Sequence, residues 1–302
     1  MKPNTLPTTE TRNPLSMKLD SLPTLQMVQL MNQQDATVPI AVARVLPQIA
    51  QTVDVMANAL AAGSRVFYQG AGTSGRLAVL DAVELLPTFR LEPNRVIPLL
   101  AGGDAAMMRS VEGAEDDEAL GRSDLAHHNF SSHDVLVGVA ASGRTPYALG
   151  GLRYAAEMGA RSAALVCNAG SPMATAAQIG IEVVVGPEVL TGSTRLKAGT
   201  AQKLVLNMLS TCTMVKLGKV YENLMVDVQP SNQKLRQRAA RIVSEITAVS
   251  GEEAAALLAT ADWEVKTAVV MGLLGVPVDE ARRRLDAADG HVRRALDDKV
   301  AG

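Results

Sequence analysis

Aromatic side chains are scarce. One tryptophan, four tyrosines and three phenylalanines among 302 residues exclude a binding site that depends on stacking rings. Cysteine is nearly absent too: Cys167 lies in an apolar strand-like run and Cys212 in a helical one. The pair yields neither a disulfide framework nor a metal-ligand spacing, and both are expected as buried thiols. Of the four histidines, His127, His128 and His133 share a polar stretch and His291 stands near the end, so no Ser–His–acid triad and no metal site can be drawn. Neither sign of charge is in excess: the formal net charge of -2 excludes the basic surface that nucleic acid requires. No run approaches 18 uninterrupted apolar residues, and the first fourteen residues, polar and proline-containing, lack the apolar centre of a secretion signal. A cytoplasmic protein without a membrane partner is expected.

What is present is a large apolar fraction, 47%, supplied in good part by alanine and sufficient for a sizeable core. Pro3, Pro7 and Pro14 break any period over residues 1–20, which read as an extended arm of the kind that wraps a partner subunit. Leu25–Met31 and Val38–Leu60 have helical apolar spacing, with Pro47 expected to bend or split the second. Apolar runs Val66–Tyr68, Val96–Leu100, Val135–Val139, Ala163–Cys167 and Ile181–Val185 then alternate with helical stretches. Runs apolar on both faces and separated by helices predict a parallel sheet covered on each side, an α/β three-layer architecture. Thr145-Pro146 and Ser171-Pro172 mark helix starts, and Thr194–Leu217 reads as one long helix. After Val228 the composition shifts. Residues 233–302 carry eleven Lys+Arg and eleven Asp+Glu, and their short helical runs predict a small helical bundle. Arg282–Arg284 there read as a solvated face.

The chemistry concentrates at two loops. Gly70-Ala71-Gly72-Thr73-Ser74-Gly75 follows the first strand candidate, and Ala140-Ala141-Ser142-Gly143-Arg144-Thr145 follows the third. Each precedes a helix, so free backbone N–H groups and hydroxyls meet the positive end of a helix dipole, a setting for an anion. The first loop lacks the lysine of a P-loop, and its Gly-x-Gly-x-x-Gly spacing alone does not establish a dinucleotide site. Glycines that only make tight turns are the competing explanation, against which the density of hydroxyls favours phosphate. The expected phosphate-binding residues are Gly72, Thr73, Ser74, Gly75, Ser142, Gly143, Arg144 and Thr145. Glu84 sits in the apolar helical run Ala78–Leu86 that Pro87 is expected to end. It is either desolvated, and so suited to proton transfer, or directed to solvent. Glu112–Glu118 form an acidic cluster in which a solvated face competes with a catalytic member. Glu188, before the long helix, is either a base or a carboxylate held by the helix dipole. Ser193, Thr194 and Lys197 beside it are further candidates for the site.

Several longer motifs accompany these residues: Thr9-Glu10-x-Arg12-Asn13-Pro14, Gly70–Arg76, Val111-Glu-Gly-Ala-Glu-Asp116, Ala140–Pro146, Thr191–Gln202 and Asn223–Val228. Through them, and over almost its whole length, the chain resembles the N-acetylmuramic acid 6-phosphate etherases, which carry a sugar-isomerase (SIS) domain. The resemblance implies a sugar-phosphate-binding SIS domain over residues 21–232 and a UBA-like helical bundle over 233–302. It also implies a lyase of cell-wall recycling that cleaves the D-lactyl ether of N-acetylmuramate 6-phosphate without a cofactor. The family's two catalytic glutamates fall on Glu84, assigned as acid, and Glu115, assigned as base. Where the family usually has Cys-Pro-Pro after the first of them, this chain has Leu85-Leu86-Pro87. In an unbroken helix Glu84 would lie about 13 Å beyond Gly75, a long reach within one phosphate-anchored sugar. A homodimer whose subunits share active sites is therefore expected. The rival readings are a phosphosugar isomerase using Glu188 and a non-catalytic sugar-phosphate sensor with a protein partner.

Overall fold

A computed structural model describes residues 6–228, 230 and 232–297, so Pro3 and the rest of residues 1–5 of the expected arm, and residues 298–302 of the expected bundle, lie outside the described residues. The chain divides into two compact units, residues 1–83 with 94–210 and residues 84–93 with 211–302.

In the first unit α1 (Thr24–Asp35), α2 (Val38–Ala43) and α3 (Leu46–Ala61) precede β1 (Val66–Gly70). There follow α4 (Gly72–Phe89), β2 (Val96–Leu100), α5 (Ala105–Met108), α6 (Glu118–His127), β3 (Val135–Ala140) and α7 (Pro146–Glu157). Then come β4 (Arg161–Val166), α8 (Pro172–Ala176), β5 (Ile179–Glu182) and α9 (Lys197–Lys216), with α4 and α9 ending in the second unit. The sheet has the order β2-β1-β3-β4-β5 and is parallel throughout, as the two-sided apolar runs predict. Every residue of β1 and β3 is buried.

Some local expectations shift. Pro47 splits its segment by standing in the first turn of α3, where a missing N–H costs nothing. Pro87 does not end its helix: α4 runs on to Phe89, since one proline forfeits a single backbone hydrogen bond. The last strand lies nearer the N-terminus than Ile181–Val185, and the long helix starts at Lys197 rather than Thr194. Cys167 is buried, and burial pushes its thiol up to about 12, whereas Cys212 is exposed, contrary to expectation.

The arm is also folded back rather than extended. It winds three 3-10 turns, Thr8–Glu10, Pro14–Ser16 and Leu19–Ser21. Asn168 holds the first: its Oδ1 accepts from Thr8 Oγ1 (2.9 Å), while its Nδ2 donates to Thr9 Oγ1 (3.0 Å) and to Ala141 O (3.0 Å). Asn13 Nδ2 donates to Gln34 Oε1 and Pro187 O. Thr8, Thr9 and Asn13 thereby tie the arm to its own unit.

Ser210 Oγ on α9 donates to Asp81 Oδ1 on α4 at 3.1 Å, and Lys203 Nζ stands 3.7 Å from the same oxygen. Asp81 is 5% exposed, and burial pushes its carboxyl up from 3.8 to about 6. A carboxyl raised on folding contributes stability that is fully present below about pH 4 and lost as pH rises through 6. The loss is on the order of 3 kcal/mol. Asp81→Asn is expected to remove this fall, so urea midpoints for the variant stay level between pH 4.5 and 7.5 where those of the parent decline.

In the second unit a hairpin, β6 (Val220–Tyr221) with β7 (Leu224–Met225), accompanies α10 (Gln233–Thr247), α11 (Gly251–Thr260), α12 (Val265–Leu274), α13 (Val278–Ala287) and α14 (Val292–Ala295). Its core centres on α12, whose Ala268, Val269 and Val270 are fully buried. The three arginines are not merely solvated: Arg282 bonds Asp262 and Glu264, and Arg283 and Arg284 pair with Glu280.

Candidate active site

β1 and β3 are neighbours, with Gly70 in register with Val139, so the two glycine- and hydroxyl-rich loops leave the sheet side by side. In an order of this type the chain turns to opposite faces after these two strands, and ligands bind in the crevice between them. There the first unit opens a cleft of about 350 Å³. Gly72, Thr73 and Ser74 line it from the first loop, Ser142, Arg144 and Thr145 from the second.

Local geometry decides which groups remain for a ligand. The first-turn amides of α4, from Gly72 to Ser74, have no acceptor within the helix, while Gly75 N already donates to Ala71 O. Ser74 Oγ donates to Gln202 Oε1 at 3.0 Å, which leaves the Thr73 hydroxyl as the free donor of the pair. In the second loop Arg144 N donates to Ser142 Oγ, and Thr145 caps α7 by position only, its hydroxyl making no cap bond. Gly75 and Gly143 stand behind the surface and shape it. Gly75 lies so close to the end of β1 that a Cβ there would meet Gly70 O at 2.6 Å and Leu100 Cδ1 at 2.4 Å. Two helix N-termini and several free hydroxyls thus converge on one space, with Arg144 as the lining cation.

Facing them are Glu115 and Asp116, on the 3-10 turn Ala114–Asp116, and Glu10 from the arm. None of the three carboxylates makes a hydrogen bond or ion pair with another described residue. Two other members of the acidic cluster are structural: Asp117 accepts from Leu120 N at the start of α6, and Glu118 pairs with Arg153, while Glu112 is exposed. Glu10 was not singled out from the sequence as a site residue, although its motif was; nothing in local spacing tells that the arm folds back.

Glu84 belongs to the second unit. It is exposed on α4, so of its two alternatives the structure favours the one directed to solvent. On a helix, only some of its leucine neighbours share its face. Leu80, Val83 and Leu86 are exposed on the same helix.

Glu188 resolves to the helix-end alternative. It is fully buried, and its two oxygens accept from Lys197 N (3.0 Å) and Ala198 N (2.9 Å), the first amides of α9. Lys197 is buried as well. Its Nζ donates to Val185 O (2.9 Å) and Gln34 Oε1 (3.2 Å), and burial lowers its ammonium below the usual lysine range. Of this group only Thr194 reaches the cleft; Ser193 does not line it.

Comparison with known proteins gives a consistent pattern. Residues 48–156 match the glucokinase regulatory protein N-terminal SIS domain, and residues 118–211 match the SIS domain. The N-acetylmuramic acid 6-phosphate etherase of Serratia proteamaculans is 57% identical over 287 residues, covering 95% of this chain and 97% of that protein. The etherase of Streptomyces avermitilis is 56% identical over 289 residues, with 96% and 93% covered. Among solved structures, a Bacteroides fragilis protein described as a phosphosugar isomerase involved in capsule formation superimposes with a TM-score of 0.50. It is 17% identical and covers 67% of this chain and 95% of that one, a likeness of fold.

Proposed function

From the fact that this chain belongs to the N-acetylmuramic acid 6-phosphate etherase family, we infer that its cleft holds a phosphosugar by the phosphate and cleaves a lactyl ether farther along it. The protein is a carbon–oxygen lyase that converts N-acetylmuramate 6-phosphate to N-acetylglucosamine 6-phosphate and D-lactate. The observation that carries the reading, beside the family, is the meeting of two helix N-termini with unpaired carboxylates in one cleft.

In the open-chain aldehyde the proton on C2 is acidic. Glu115, in the cleft and unpaired, takes that proton; the bond from C3 to the lactyl oxygen breaks, and a general acid protonates the leaving oxygen. Water then adds at C3 of the unsaturated aldehyde, and C2 regains a proton. Glu84 is assigned as the acid. Its exposure on α4, on a helix that also exposes Leu80, Val83 and Leu86, supports delivery from a second copy of the chain in a homodimer. The first-unit helix α1, which buries no residue and exposes Leu25 and Val28, offers further apolar surface for such a partner. A cytoplasmic location belongs to the same reading and is supported by the unpaired thiols.

The isomerase reading loses its base, because both oxygens of Glu188 are engaged by α9. A coupled assay on synthetic N-acetylmuramate 6-phosphate is expected to show D-lactate released in step with N-acetylglucosamine 6-phosphate. Aldose–ketose interconversion without lactate, or a thermal shift without turnover, contradicts the reading.

A further inference from the structure

Resting on the etherase reading, we propose that Glu10 is the group that opens the sugar ring. C2 is acidic only beside a C1 carbonyl, and in the pyranose that carbonyl is masked. Opening removes the proton from the O1 hydroxyl, breaks the C1–O5 bond with its electron pair going to O5, and delivers a proton to O5. The net change is one proton moved from O1 to O5, so a single carboxylate that accepts the first and returns it to the second suffices. O5 is borne by C5, adjacent to the carbon that carries the phosphate. The group responsible must therefore stand near the phosphate grip, whereas the elimination takes place farther off, at C2 and C3.

Glu10 meets that requirement. Its neighbour Thr9 is fully buried and bonded to Asn168, which in turn donates to Ala141 O at the root of the second phosphate loop. The arm is thus stitched to the loop expected to hold phosphate. On the other side the carboxylate lies over Gly192, whose φ of +76° and missing side chain leave it room: a Cβ there would stand 3.4 Å from Glu10 Oε2. The Glu10 carboxylate has no hydrogen-bond or ion-pair partner among the described residues, and the cleft lining contains no histidine, cysteine, tyrosine or lysine to compete for the role. Glu115 and Asp116 come together from a different element, and Glu115 is already engaged at C2.

The test separates ring opening from everything after it. Glu10→Gln is assayed on the pyranose N-acetylmuramate 6-phosphate and on the acyclic unsaturated aldehyde 6-phosphate left by loss of lactate, whose hydration needs no opening. The expected result is D-lactate release slowed about 100-fold with hydration at the parent rate, which also certifies the fold. Equal loss on both substrates, or loss on neither, overturns the proposal, as does the same asymmetry appearing in Asp116→Asn instead. A parent enzyme that releases no D-lactate sinks the etherase reading itself, and is told apart from the other outcomes by that alone.

Discussion

Glu115→Gln is expected to lower the kcat for D-lactate release by about 10²- to 10⁴-fold, the range lost when a positioned acid or base is neutralised. Stability should stay within about 0.5 kcal/mol of the parent, because Glu115 is exposed and bonded to nothing that its loss would strand. Glu84→Gln is expected to lose activity to a similar degree. Mixing provides the decisive measurement. If each site draws Glu115 from one chain and Glu84 from another, a dimer of the two inactive variants rebuilds one of its two sites, and lactate release returns. Verified heterodimers that stay inactive contradict shared sites while leaving the single-variant losses to stand for Glu84 and Glu115 individually.

Gly75→Ala is expected to damage both binding and stability. The added methyl would lie 2.6 Å from Gly70 O and 2.4 Å from Leu100 Cδ1. The leucine tip can turn aside, but the carbonyl belongs to the end of β1 and accepts from Ala101 N. The start of α4 must therefore lift from the sheet, at a cost of about 1–3 kcal/mol for overpacking, and it carries the amides of Gly72, Thr73 and Ser74 out of the cleft. Urea denaturation should record the lost stability, and the KM for the phosphosugar and the inhibition constant of inorganic phosphate should both rise. Gly251→Ala, at a helix start with open space around it, serves as the matched control and should change neither. An unchanged phosphate affinity in Gly75→Ala would remove the α4 start from the binding site.

The legible part of the site was what one strand, one turn and one helix can express. Val66–Gly75 and Val135–Thr145 each show their apolar run, glycines and hydroxyls within a dozen residues, so both strand–loop–helix units were readable, and most of their candidate residues line one cleft. Ser171 capping α8 was equally local. Glu188 was readable only as a pair of alternatives, since a base and a helix cap look the same until it is known whether Lys197 N and Ala198 N reach the carboxylate. The acidic cluster was similar: one member caps α6, one pairs with Arg153, two line the cleft and Glu112 is exposed outside it, a division that composition does not show.

By itself the amino-acid order determined the alternation of buried strands and helices, the two glycine- and hydroxyl-rich loops and the family motifs, because each of these is written in side-chain chemistry over a short span. Only the tertiary structure decided that β1 and β3 lie side by side, that the arm folds back to bring Glu10 into the cleft lining, and that Glu84 is exposed rather than buried among leucines. Adjacency and burial come from contacts between residues as far apart as Thr8 and Asn168. Such contacts are fixed by the packing of the whole unit, to which no local pattern has access.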